Sequence, residues 1–170
     1  MGTAANVKLG VCNVTFGGTD LGYTKGGVKV SYSVETVEKT VDQEDAPIDE
    51  IITKQKFEVK IPLAEHNLAI LENLLPGATL VTDNITPTKK KLTLSGAAGA
   101  SLVTMAKELV ISPTGIENDN EDITLKYAIP KANLEFAFEK EHVRVYEVTF
   151  SALKGENGFV IFGDPTASTT

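Results

Sequence analysis

The residues of this 170-residue chain that could do chemistry are two histidines, one cysteine and a set of acidic clusters. Their spacing decides which chemistry is open. His66 sits between Glu65 and Asn67 on a segment of helical periodicity, and His142 sits in the charged turn 139–144. Neither accompanies a nucleophile or an acid motif, so no catalytic residue is assigned and the chain is read as a non-enzyme. Zinc needs three or four ligands at short spacings, which Cys12 and two separated histidines do not supply. The cluster Glu117, Asp119, Glu121 and Asp122 lacks the sharp-turn glycine and terminal bidentate glutamate of a calcium loop, and reads as a solvated turn. Gly17, Gly18, Gly22, Gly26 and Gly27 do not make a phosphate loop, because Tyr23 and Thr24 follow Gly22 where a Lys and a Ser or Thr are required. No metal and no cofactor is expected.

Recognition is the chemistry left. Residues 35–50 hold Glu35, Glu38, Asp42, Glu44, Asp45, Asp49 and Glu50 against the single base Lys39. A solvated linker would be rich in Gly and Ser, whereas Val34, Val37, Val41, Ala46, Pro47, Ile48, Ile51 and Ile52 are interleaved with these charges. That apolar surface must be buried somewhere, and a polar-rimmed contact with another molecule is the expectation. The arm is assigned to Glu38, Asp42, Glu44, Asp45, Pro47, Ile48, Asp49, Glu50 and Ile51. Lys89, Lys90 and Lys91 form a basic run that reads either as a gatekeeper on a strand edge or as a receiver for the acidic arm, and residues 54–60 are a second basic candidate.

The elements that position these residues are mostly strands. Apolar and polar residues alternate over 27–34, 55–61, 78–82, 91–94, 108–112, 123–129, 134–139, 144–152 and 159–162, with a further strand broken by Gly10 over 6–16, where Val7, Leu9, Val11 and Cys12 look inward. Ile123, Leu125, Tyr127 and Ile129 make one apolar face, and Leu134, Phe136 and Phe138 another. One helix is expected over 63–75, where Leu63, Leu68, Leu71, Leu74 and Leu75 recur at helical spacing before Pro76 and Gly77. Residues 35–52 are left as a long excursion between the first two strands.

Many strands with one helix predict a mainly β fold: a two-sheet β-sandwich or distorted barrel with one flanking α-helix and a long hairpin loop. The chain is long enough to bury a core as one domain over 1–170, with 166–170 as a loose polar tail. A net charge of −7 argues against gripping nucleic acid, whose phosphates are bound by Lys and Arg. No apolar run reaches membrane-spanning length, and with one cysteine and no leader pattern the chain is read as made inside the cell.

Asp20, Leu21, Gly22, Tyr23, Thr24, Gly26 and Gly27 leading into 28–34, then Pro47, Ile48, Asp49, Glu50 and Ile51, then 59–63 and the helix, resemble the tail tube proteins of long-tailed bacteriophages of the non-contractile, siphophage type. The likeness covers the first half of the chain well and the second half loosely. It implies a β-sandwich flanked by a helix, six copies closing into a ring, rings stacking into a tube, and a long hairpin loop reaching the neighbouring ring. The implied location is the virion tail, made in the bacterial host cytoplasm. The implied partners are further copies of the chain, tape-measure and tail terminator proteins, and genomic DNA in transit without specific binding.

Such an assembly is physically reasonable, because strand edges open in a monomer pair head to tail and close a ring. Val28, Val30, Tyr32, Phe57, Val59, Phe136 and Phe138 are placed on the buried side. Lys29, Ser31, Ser33, Lys56, Glu58, Glu135 and Glu139 are the candidate lumen face. Fixed negative charge in such a lumen would repel DNA. The alternative is a monomeric β-sandwich acting as a binding or virion-decoration module, against which the absence of Trp weighs where the ligand is a sugar.

Overall fold

The computed structural model describes residues 10–96, 98–116, 118–156 and 158–168. Ten strands and one α-helix run in the order β1 (Cys12–Phe16), β2 (Thr19–Asp20), β3 (Lys29–Lys39), β4 (Asp49–Leu63), α1 (Leu68–Leu74), β5 (Ala78–Thr82), β6 (Lys90–Leu94), β7 (Lys107–Pro113), β8 (Ile123–Asn133), β9 (Tyr146–Ala152) and β10 (Ile161–Phe162). The fold is mainly β, as the alternation predicts. Eight strands form one sheet, ordered β2-β1-β7-β8-β9-β4-β3 with β10 also on β8, while β5 and β6 form a separate hairpin. Pairing is antiparallel throughout.

The large sheet folds over its own core without closing. β8 pairs with β7 through residues 123–128, with β10 through 123–124, and with β9 through 128–133, so it belongs to both halves. Phe16 of β1 and Phe150 of β9 lie with ring centroids 5.0 Å apart. Three strand spacings would separate them by roughly 14 Å in a flat sheet, so the two halves curl to face each other. Between them pack Val14, Phe16, Leu109, Ile111 and Leu125 from one side and Phe57, Val59, Ile61, Val148 and Phe150 from the other. Among the described residues no strand pairs with the outer edges of β2 and β3 at the two ends of the sheet, so no barrel closes.

Several boundaries differ from the sequence expectation for identifiable reasons. In β1 the inward residues are Val14 and Phe16 with Cys12 half-buried, and Val11 points out; Val7 and Leu9 lie outside the described residues. Pro62 does not end β4. Its carbonyl accepts from Lys25 N at 3.0 Å on the side away from β9, so its missing N–H falls outside the β9 ladder, where Pro62 pairs with Glu147. Leu63 is therefore strand, and the helix is confined to Leu68–Leu74. Asn67 caps it by accepting from Ala69 N at 2.9 Å, while Ile70, Leu71 and Leu74 are buried.

The expected apolar face Ile123–Leu125–Tyr127–Ile129 is split by a bulge. β7 advances from Lys107 to Leu109 while β8 advances from Ala128 to Leu125, so the inward set shifts from Leu125 to Ala128 and leaves Tyr127 exposed. Residues 134–139 form no strand. The β8–β9 ladder ends at Asn133↔Glu147, and β9 itself starts at Tyr146, so only one residue of β9 lies beyond it. The alternating aromatics instead pack on one another: Phe136 lies 4.8 Å from Tyr146 and 5.5 Å from Phe138 between ring centroids.

The connector 21–25 stitches the two halves together. Leu21 is buried and donates its N–H to Val14 O at 2.9 Å, Thr24 bridges Leu63, and Ala64 N donates to Tyr23 O at 2.8 Å. Gly22 turns the chain here at φ +76°, with its N–H donated to Asp20 Oδ1 at 2.8 Å, and an added Cβ would strike the Glu65 carboxylate. This tight anchoring fixes the inner, Leu63 end of β4.

Candidate functional site

The excursion expected over 35–52 is mostly strand. β3 and β4 stay paired from Lys29↔Lys60 out to Lys39↔Asp49, with a bulge after Glu35. The bulge residue Thr53 is not wasted, since its hydroxyl donates to Glu35 O at 3.0 Å while Lys54 Nζ meets Glu35 Oε1 at 2.9 Å. Beyond it the β-branched pairs Thr36↔Ile52 and Val37↔Ile51 continue the ladder. Thr36 Oγ1 donates to Glu50 Oε1, and Ile48 N closes the tip on Lys39 O at 2.9 Å. β9 accompanies β4 only from Glu58 inward, so β3 and β4 run on without a third strand among the described residues from Phe57 to Asp49, roughly 25 Å.

This arm exposes what a folded subunit normally hides. Val37, Val41, Ile48, Ile51 and Ile52 are 38–57% exposed. Strand alternation sets Val37 and Ile51 on one face and Thr36, Ile52, Glu38 and Glu50 on the other, so neither face is covered. Seven carboxylates against Lys39 give residues 35–50 a net charge of −6, nearly the whole −7 of the chain. Glu38 stands directly across from Glu50, a like-charge pair that costs stability in the free subunit. The assigned arm residues Glu38, Asp49, Glu50 and Ile51 lie on the two strands, and Asp42, Glu44, Asp45, Pro47 and Ile48 on the connecting tip.

The other expected surfaces are only partly assembled. Lys90 and Lys91 lie on β6 and Lys89 just before it, all exposed on a hairpin that packs its Leu80 side toward α1. Of the candidate lumen face, cross-strand register puts Lys29, Ser31, Ser33, Lys56 and Glu58 on one side of the sheet. Glu135 and Glu139 lie off the sheet in the segment after β8, because that segment is not a strand. Register adds residues outside that candidate set: Lys54, Lys60, Lys131 and Glu147, with Lys60 and Glu147 3.4 Å apart. Their signal was there in the parity of Lys54, Lys56, Glu58 and Lys60. What the sequence could not supply was which strands flank them.

On this face Glu58 is held by two neighbours. The Lys56 ammonium, 2.9 Å away, holds its carboxyl below the usual range, with help from the Ser151 hydroxyl and Lys131 and against partial desolvation. The face carries Lys29, Lys54, Lys56, Lys60 and Lys131 against Glu35, Glu58 and Glu147, so the acidity of the chain is not expressed here; it is concentrated in the arm.

Of the buried-side set, Phe57 and Val59 are buried, and Val28 packs against the core. Val30 and Tyr32 share that face but stay exposed on the edge strand, while Phe136 and Phe138 lie off the sheet, Phe138 with Arg144 stacked 4.9 Å from its centroid. His66 Nδ1 is 2.5 Å from the Tyr146 hydroxyl, and His142 faces Glu139. Among the described residues no group of three or more His, Cys, Asp or Glu converges as a metal ion needs, and Glu117 lies outside them. Burial raises the Cys12 thiol pKa. Among the described residues no helix is long and apolar enough to cross a membrane. No protein-family model matches the chain, and no curated protein matches it.

Proposed function

We propose that this chain is a structural subunit that polymerises, forming stacked rings that make the tail tube of a long-tailed, non-contractile bacteriophage. One observation carries the reading: the two-stranded arm, roughly 25 Å long, has apolar side chains exposed on both faces and, among the described residues, no third strand. An isolated hairpin is marginal in water, and such a surface is stable only when something covers it. A second copy is the economical cover, since the unpaired edges of β2 and β3 also invite sister subunits. The contact is heterologous, so it closes rings or propagates stacks. In this reading the work of the protein is assembly, with DNA passing through the tube, the virion tail as its location, and tape-measure and terminator proteins at the two ends.

Negative-stain microscopy tests it. The intact chain is expected to give rings or tubes at high concentration. Glu35 and Lys54 are direct partners, so replacing residues 36–53 with Asn-Gly closes a short hairpin and leaves the core intact. The shortened chain is expected to fold and to lose stacking. An intact chain that stays monomeric at every concentration, alone or with other tail components, overturns the reading in favour of a monomeric binding or decoration module.

A further inference from the structure

The surface that receives the arm can be argued from the same molecule. Beside the β5–β6 hairpin is an open groove of about 340 Å³ lined by Val81, Asp83, Lys89, Lys90 and Lys91. Val81 pairs with Lys91 and Thr82 with Lys90 across the hairpin. Val81 is 45% exposed and Ile85, in the adjoining turn, 94%. Asp83 is the one carboxylate in the groove, and it is already occupied: it accepts from Ile85 N at 2.8 Å and Thr86 N at 2.6 Å, fixing the turn. Among the described residues Lys89, Lys90 and Lys91 have no ion-pair partner. Apolar surface ringed by unneutralised cations complements an arm that pairs apolar surface with unneutralised anions.

Position supplies the second argument. The arm tip lies at the Asp49 end of β4, whereas α1 and the hairpin that packs on it follow from the Leu63 end. β4 spans roughly 50 Å between those ends. One subunit thus carries donor and receiver at opposite ends, and joining them links different copies head to tail, a contact that repeats without limit.

Building on the polymerising-subunit reading, we propose that the acidic arm of one copy docks in the β5–β6 groove of a second copy. Asp42, Glu44 and Asp45 face Lys89, Lys90 and Lys91, and Ile48 lies against Val81. Exposed ion pairs are individually weak, so the charges set register while the apolar contact holds.

Charge exchange tests this. Reversing the groove (K89E, K90E, K91E) is expected to lower polymer mass in sedimentation at least about tenfold. Reversing the arm (D42K, E44K, D45K) is expected to do the same. The chain carrying both reversals, or an equimolar mixture of the two single-surface variants, is expected to polymerise again. Carbodiimide cross-linking of the wild-type assembly, mapped by mass spectrometry, is expected to join arm carboxylates to these lysines between chains. Circular dichroism of each variant separates lost docking from lost folding. If the wild type polymerises while groove reversal changes nothing, or while the double reversal does no better than the single ones, the groove assignment falls and the tube reading stands. If the wild type never polymerises, both fall. Should a reversed variant fail to fold, the wild-type cross-link map decides alone: arm carboxylates joined to other lysines sink the groove.

Discussion

The inner and outer halves of the β3–β4 hairpin are built from the same kinds of residue and meet opposite fates. Inside, β4 lies between β3 and β9 and buries Phe57, Val59 and Ile61. Outside, past Gln55, the same two strands carry Val37, Ile51 and Ile52 with nothing over them. Apolar side chains recur in both halves, so what separates them is the presence of a third strand and a second layer. In the inner half that pattern is satisfied within the chain; in the outer half it stays exposed, and on the proposed reading a second copy covers it. Composition marks the boundary, since the outer half also gathers nearly all the net charge.

The largest expected effect lies in the inner half. Phe57 is 2% exposed and touches the rings of Tyr32, Phe159 and Phe162. Phe57→Ala is expected to destabilise dilute, unassembled subunits by about 3–5 kcal/mol, the range for a large aromatic removed from a packed core. Urea unfolding followed by circular dichroism measures it. A loss under about 1 kcal/mol would mean that the inner half is no better packed than the outer one, and the comparison would collapse.

The outer half is expected to behave in the reverse way. Ile51→Ser and Ile52→Ser together remove exposed apolar surface and two cross-strand pairs worth about 0.2–1 kcal/mol each, so stability of the unassembled chain is expected to fall by no more than about 2 kcal/mol, less than for Phe57→Ala. On the proposed reading the pair acts in assembly. Burying such side chains at a contact is worth about 1.5–3 kcal/mol each, so the critical concentration for polymerisation is expected to rise at least tenfold. Light scattering against concentration reads this. A large drop in subunit stability without a change in assembly would place the arm on its own domain.

How much of this division the sequence discloses can be followed residue by residue. The alternation in 55–61 correctly gives Phe57, Val59 and Ile61 to one face, and the acidic, apolar 35–52 segment is legible as an element needing cover. Its strand character is not, because Glu35, Glu38, Asp49 and Glu50 lower local β preference, and only the cross-strand register of Val37 with Ile51 and Thr36 with Ile52 rescues it. Residues 134–139 show the opposite failure. Leu134, Phe136 and Phe138 alternate as a strand should, but pairing is a property of neighbours, and beyond Asn133↔Glu147 β9 has only Tyr146 to offer. The helix is overextended for a similar reason: Leu63 fits helical spacing equally well, and its pairing with Tyr146 decides the matter. Local pattern fixes which side chains seek burial. Non-local partners fix whether the backbone is a strand, and those partners are not written in any one segment.

The smallest effect sharpens the boundary between the halves from the charged side. Glu58 is the outermost residue of β4 that still pairs with β9, opposite Ser151. Its carboxylate is held by Lys56 at 2.9 Å and by the Ser151 hydroxyl at 3.2 Å, and its side chain is 20% exposed. The folded pKa lies below the unfolded one, so the subunit binds fewer protons at this site than the unfolded chain does in mild acid. The stabilisation is therefore present above the ordinary glutamate value of about 4.3 and is lost as pH falls through the lower folded value. Glu58→Gln is expected to flatten the decline of stability below that pH, and Ser151→Ala to flatten it less, because Lys56 remains the principal partner. Pairs this accessible to water contribute about 0–1 kcal/mol, so thermal melts at closely spaced pH values are needed to resolve the change. If Glu58→Gln left the acid limb unaltered, the carboxylate would be as free as an unpaired surface group, and the folded half of the hairpin would end one residue pair closer to the base.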